Sequence, residues 1–265
     1  MRRMLKPWQS NLRKCLLHKD NLTMAAKLYI GTSGWHYKHW KGTFYPAELK
    51  AKEHFDYYSR HFDTVEINNT FYRLPPKEVF TSWKEKVDKS FIYVVKASRF
   101  ITHMKKLNDT LEGLTRFLEN TALLGENLGP ILFQLPPGWE INAGRLENFL
   151  KILPNHFRYV FEFRNATWYR EEIYTLLEQY NCAFCIYELA GHLSPVMVTA
   201  DFAYLRLHGP GGKYQGSYTD DALHKWAVQC REWLNAGIDT YVYFDNDEMG
   251  YAAFNALKLK ELLGS

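Results

Sequence analysis

Eight short apolar runs, each but one followed by a stretch of helical period, constrain this chain more than any other feature. The runs are 27–31, 64–68, 91–96, 131–135, 159–163, 183–187, 203–208 and 240–245. Helical stretches fall near 48–61, 76–87, 109–124, 143–152, 170–180, 219–236 and 250–263. In the third of these, Leu111, Leu114, Phe117, Leu118 and Leu124 recur at helical spacing, and Asn108 or Asp109 offers an N-cap. The interval 188–202 holds Gly191 and Pro195 without helical period, so the sixth unit is expected to be irregular. Strands alternating with helices predict an α/β chain with a parallel sheet, here a TIM-like (β/α)8 barrel. The 265 residues suit one such domain. An open doubly wound sheet is the competing fold, but no G-x-G-x-x-G follows the first run.

The barrel is expected to occupy residues 25–265. Residues 1–24 read differently: six basic residues stand against Asp20 alone, a net charge of +5, which leaves −1 for the remainder. This leader has no apolar h-region and is not a secretory signal. It reads either as an organelle transit segment or as the product of an upstream start, with Met24 the true beginning. The near-neutral body argues against a nucleic-acid rim. No run approaches the roughly 20 apolar residues of a membrane span. Cys182-Ala-Phe-Cys185 lies in a strand, where residues three apart face opposite ways, so it suits neither a redox pair nor zinc and reads as two buried thiols. A reducing cytoplasm fits this cysteine usage.

In a parallel barrel, one face of each strand packs against helices and the other faces the lumen. Val65 and Ile67 take the outer face, so Glu66 and Asn68 point inward. The same parity turns in Lys96, Gln134, Glu162 with Arg164, Arg206 with His208, and Tyr241, Tyr243 and Asp245. Burying an unpaired charge costs several kcal/mol, roughly, so these groups must pair with one another or meet a ligand. The barrel's carboxyl end, where active sites of this architecture lie, is therefore the expected site. Glu66 and Glu162 form the candidate acid–base pair, with His208 a third catalytic candidate. Asn68, Lys96, Gln134, Arg164, Arg206, Asp245 and Asn246 are candidate substrate contacts. Trp35, Tyr72 and Trp168, in the loops beyond the strands, are expected to wall the pocket, and His103, after the third strand, is a further candidate substrate contact. Gly209, Gly211, Gly212 and Lys213 make a candidate anion-binding loop. The competing account is a self-satisfied ionic plug in the upper lumen.

Walker, G-x-S-x-G and H-E-x-x-H motifs are absent, and one inward histidine among several cations does not point to a metal. No cofactor is expected.

The stretches GTSGW (31–35), VEINNTFYRLP (65–75), KASRFITH (96–103), LGPILFQLPP (128–137), FEFRNATW (161–168), YLRLHG (204–209) and YFDND (243–247) resemble the YecE-like family of domains of unknown function (DUF72). The resemblance implies a TIM-like barrel and no particular activity. Asp245, Asn165 and Glu188 depart from its pattern, which has asparagine, histidine and aspartate there. An amide at 245 would argue against an essential acid or base at that position.

Three functions are compatible with these residues. The leading one is an acid–base enzyme, a hydrolase or isomerase, acting on a small polar substrate that is sugar-like or phosphorylated. A metal-dependent phosphodiesterase similar to the endonuclease IV group is the second, and a non-catalytic ligand-binding barrel the third.

Overall fold

A computed structural model describes residues 25–265; the basic leader lies outside the described residues. The barrel strands are β1 (Leu28–Thr32), β2 (Thr64–Ile67), β3 (Ile92–Lys96), β4 (Leu128–Leu135), β5 (Tyr159–Phe163), β6 (Ala183–Leu189), β8 (Phe202–Leu207) and β9 (Asp239–Phe244). All pair in parallel, in the order β1-β9-β8-β6-β5-β4-β3-β2. The fold is a nearly closed (β/α)8 barrel, as expected.

Helices α1 (His54–Tyr58), α2 (Asn69–Tyr72), α3 (Lys77–Glu85), α4 (Leu111–Thr121), α5 (Ala143–Lys151), α6 (Glu171–Gln179), α7 (Asp220–Asn235) and α8 (Tyr251–Leu263) cover it. The helix expected over 48–61 is shorter, a 3-10 turn at Ala51–Glu53 running into α1. Thr110, not Asn108 or Asp109, caps α4, and it makes no side-chain cap bond. The chain reaches it through left-handed Lys106, Leu107 and Asp109, which take those candidates out of cap position. In the sixth unit a two-residue strand, β7 (His192–Leu193), folds back antiparallel on β6 in place of a helix.

The barrel's seam lies between β1 and β2, which share no ladder. Here the Tyr58 hydroxyl stands in for sheet hydrogen bonds. It accepts from the Thr32 N–H at 3.0 Å and donates to the Thr64 carbonyl at 3.0 Å, tying one strand to the other. Gly31 permits this approach, because a Cβ there would lie 2.4 Å from the Thr64 carbonyl oxygen.

Strand parity sorts the core into two shells. Ile30, Val65, Ile67, Tyr93, Val95, Phe133, Phe161 and Leu205 pack outward against helices. Tyr29, Val94, Leu132, Val160, Cys185, Tyr204, Tyr241 and Tyr243 fill the lumen. Cys182 belongs to the outer shell and Cys185 to the inner, so the C-x-x-C pair points two ways, and both thiols are free. Among the described residues, no helix is long and apolar enough to cross a membrane.

Candidate active site

Above the apolar and tyrosine layers, the lumen turns ionic. Arg206 rises from β8 with its side chain fully buried and grips two carboxylates at once. Its Nη2 donates to Glu66 Oε1 at 2.6 Å and its Nη1 to Glu162 Oε2 at 2.6 Å. Glu66 also accepts from the Ser33 hydroxyl at 2.7 Å and the Tyr204 hydroxyl at 2.6 Å. Glu162 also accepts from Arg164 Nε. Burial would raise the Glu162 carboxyl, but Arg164 and then Arg206 overcome it and hold the group well below the usual carboxylate range.

In this geometry Glu66 and Glu162 are joined through one guanidinium rather than standing as two free carboxyl groups. Both are buried and enclosed by donors, with the guanidinium between them. They form a fixed ionic floor. A second set of charged groups lies above this layer.

That upper layer is the mouth. His208 is buried, yet each ring nitrogen has a defined partner. Its Nδ1 lies 3.0 Å from Asp245 Oδ2, and its Nε2 lies 2.8 Å from Arg164 Nη2. A guanidinium only donates, so Nε2 accepts and the proton sits on Nδ1, donated to Asp245. Burial, then the charges of Arg206 and Arg164, push the imidazole's pKa well below its ordinary value. Burial raises the Asp245 carboxyl against the pull of Arg206, Lys96 and Arg164. We expect the 15N NMR signals of His208 to report the neutral Nδ1–H form at neutral pH. A protonated ring at neutral pH would contradict this assignment.

Lys96 ends β3 with its Nζ 4.6 Å from the centroid of the Phe71 ring. Burial, then the neighbouring Arg206, push its pKa down to about 8. Arg164 lies over the Tyr187 ring at 4.6 Å. Tyr214 closes against His208 edge-on, 5.5 Å between ring centroids. His103, after β3, stands edge-on to Phe71 and feels both Lys96 and Glu162.

The expected aromatic walls are elsewhere. Trp35 packs in the outer shell against Phe55 and Trp83. Trp168 is fully buried, stacked on Phe163, and donates to the Trp139 carbonyl. Tyr72 is 72% exposed. Phe71, Tyr187 and Tyr214 are the rings at the mouth instead. Asn246 turns away from the lumen and donates to the Gly216 carbonyl and Asn255 Oδ1. Asn68 stays near the mouth, its amide 3.4 Å from the Ser33 carbonyl. Gln134 points inward and is half-buried.

The candidate anion loop is folded on itself. Gly209, at φ 111°, gives its N–H to the Tyr218 hydroxyl, so that amide is not offered to an anion. Gly212 receives the Gln215 N–H, Lys213 lies over the Tyr214 ring, and the Tyr214 N–H returns to the His208 carbonyl. Gly211 is the remaining glycine of the turn, with open space at its α-carbon. The loop holds Tyr214 over His208.

Two cavities lie apart from these charges. One of about 690 Å³ is lined by Asn108, Glu112 and Arg145. Another of about 680 Å³, at the amino end of the strands, is lined by Tyr29, Arg158 and Asp239. Among the described residues, no group of three or more His, Cys, Asp or Glu side chains is disposed to hold a metal ion.

Residues 29–265 match the family described as "Protein of unknown function DUF72". The chain belongs to this family. It is 26% identical to the UPF0759 protein YunF of Bacillus subtilis, over 89% of this chain and 94% of that protein. The YecE protein of Escherichia coli K12 is 31% identical over 54% of this chain and 50% of its own length. The crystal structure of a DUF72 family protein from Thermotoga maritima superposes with a TM-score of 0.80 at 30% identity, covering 90% of this chain and all of that one. The barrel is thus the family's fold, and its ionic lumen is built by the stretches GTSGW, VEINNTFYRLP, FEFRNATW and YLRLHG of this DUF72 member.

Proposed function

We propose that this DUF72 barrel is an enzyme performing acid–base chemistry on a small polar substrate, sugar-like or phosphorylated, at the carboxyl end of its strands. The observation that carries this reading is the buried His208–Asp245 pair with its tautomer fixed. Asp245 orients the imidazole by accepting Nδ1–H, a role an amide oxygen could also fill. The Nε2 lone pair is the base, and Arg164 Nη2 caps it in the free protein. A substrate anion that draws Arg164 away would remove the nearer of the two guanidinium contacts on Nε2, leaving only Arg206 Nη1 at 3.3 Å, and so link binding to proton transfer. Lys96 and Arg164 hold the polar group, Tyr214 covers it, and Arg206 with its two glutamates forms the rigid floor. The free, buried cysteines suit a reducing cytoplasm.

The test is hydrogen exchange in D2O, followed by proton NMR, on a panel of phosphorylated and unphosphorylated hydroxy-carbonyl sugars. Wild type should wash deuterium into the carbon beside the carbonyl of at least one compound. His208→Asn should bind that compound and lose the exchange by about a hundredfold or more. Equal exchange in both proteins, or none in either, would contradict the reading.

A further inference from the structure

Every other charged group at the lumen's upper end has a partner. Glu66, Glu162, Arg164, Arg206 and Asp245 are joined by hydrogen bonds or ion pairs, and His103 meets the Thr102 hydroxyl. The Lys96 amine has only the face of Phe71. No hydrogen bond or ion pair joins it to the described residues, although three carboxylates share its lumen.

We propose that Lys96 is a nucleophile, and that it forms an imine with the carbonyl carbon of a small aldehyde or ketone bearing a carboxylate or phosphate. This deepens the reading above and rests on it. A half-buried amine without a hydrogen-bonding acceptor, beside a guanidinium, is the environment that favours the neutral form, and the neutral form is the nucleophile. The groups facing it are Glu66 from β2, Glu162 from β5, Arg206 from β8, Asp245 after β9 and His103 after β3. The balance leaves the amine half-neutral at about pH 8. A lysine kept only to hold an anion would gain from staying charged, and arginine would do that better.

The step balances within the mouth. The Lys96 lone pair adds to the carbonyl carbon, a C–N bond forms and the carbonyl π pair moves to oxygen. That oxygen takes the proton released by nitrogen. The hydroxyl then leaves as water, taking a proton delivered by solvent at the mouth, and nitrogen supplies the pair for C=N. The iminium so formed acidifies the neighbouring C–H, and the His208 Nε2 lone pair, once Arg164 has moved, is the group to receive that proton. The anionic group on the substrate is what draws Arg164 off.

The experiment is reductive trapping of the full chain with sodium cyanoborohydride and either pyruvate or dihydroxyacetone phosphate, read by intact-mass and peptide mass spectrometry. The expected result is one reduced adduct per chain, on Lys96, forming at least about tenfold faster than on any other lysine. Its rate should rise with pH and level off above about pH 8. Lys96→Met should abolish the adduct, and Lys105→Met should leave it unchanged. Labelling spread evenly over surface lysines, or none on Lys96 with either compound, overturns the proposal. If deuterium exchange persists without an adduct, the imine is wrong and the acid–base reading stands. If both are absent, both are wrong.

Discussion

Replacing Arg206 by leucine should lower stability by about 3–5 kcal/mol, because it leaves buried Glu66 without a counter-charge and Glu162 with Arg164 alone. Among the described residues, Arg206 is the one side chain hydrogen-bonded to both Glu66 and Glu162, at 2.6 Å from each. Glu66→Gln and Glu162→Gln should each lose roughly 3 kcal/mol, since each leaves part of the guanidinium facing an amide that cannot balance it. Urea denaturation of the three variants measures this directly. A wild-type midpoint in all three would mean that the lumen tolerates loose charges, and Glu66 and Glu162 would return as catalytic candidates. Substitution at Lys96 should behave otherwise. Its amine pairs with no carboxylate, so Lys96→Met should fold with undiminished stability.

The second large effect is expected at the seam. Gly31→Ala would place a methyl carbon 2.4 Å from the backbone oxygen of Thr64. Neither atom belongs to a flexible side chain, so β1 and β2 must part and the Tyr58 hydroxyl can no longer reach both. The expected loss is about 3 kcal/mol, at the upper end for overpacking. A variant as stable as wild type would show that the seam is held some other way.

The fold and the inward charges were readable for one reason: side-chain direction along a strand repeats every two residues. Once Val65 and Ile67 are set outward, Glu66 must point in, and the same parity places Lys96, Glu162, Arg206 and His208. Parity also puts Tyr204 in the lumen with Arg206, which explains how its hydroxyl comes to meet Glu66. Nothing local, however, says that one guanidinium would span β2 and β5. That pairing depends on lumen width and on rotamers three strands apart. Loops carry no such period. Trp35 and Trp168 follow strand ends, as pocket walls would, yet each folds back into the outer shell, while Phe71, Tyr187 and Tyr214 take the positions at the mouth. The glycines after β8 suggested an anion nest, but whether an amide is free depends on the partner it finds, and Gly209 finds Tyr218.

The central claim is that function resides at the mouth, around Lys96, Arg164 and His208, above a floor that only supports it. Tungstate, a phosphate-like anion with a strong anomalous signal, tests this directly when soaked into crystals of the protein. The account predicts an anomalous peak within hydrogen-bonding reach of Lys96 Nζ and Arg164, with Arg164 drawn off His208. Peaks confined to the 209–213 loop or the amino-end cavity, with the Arg164–His208 contact intact, would contradict it.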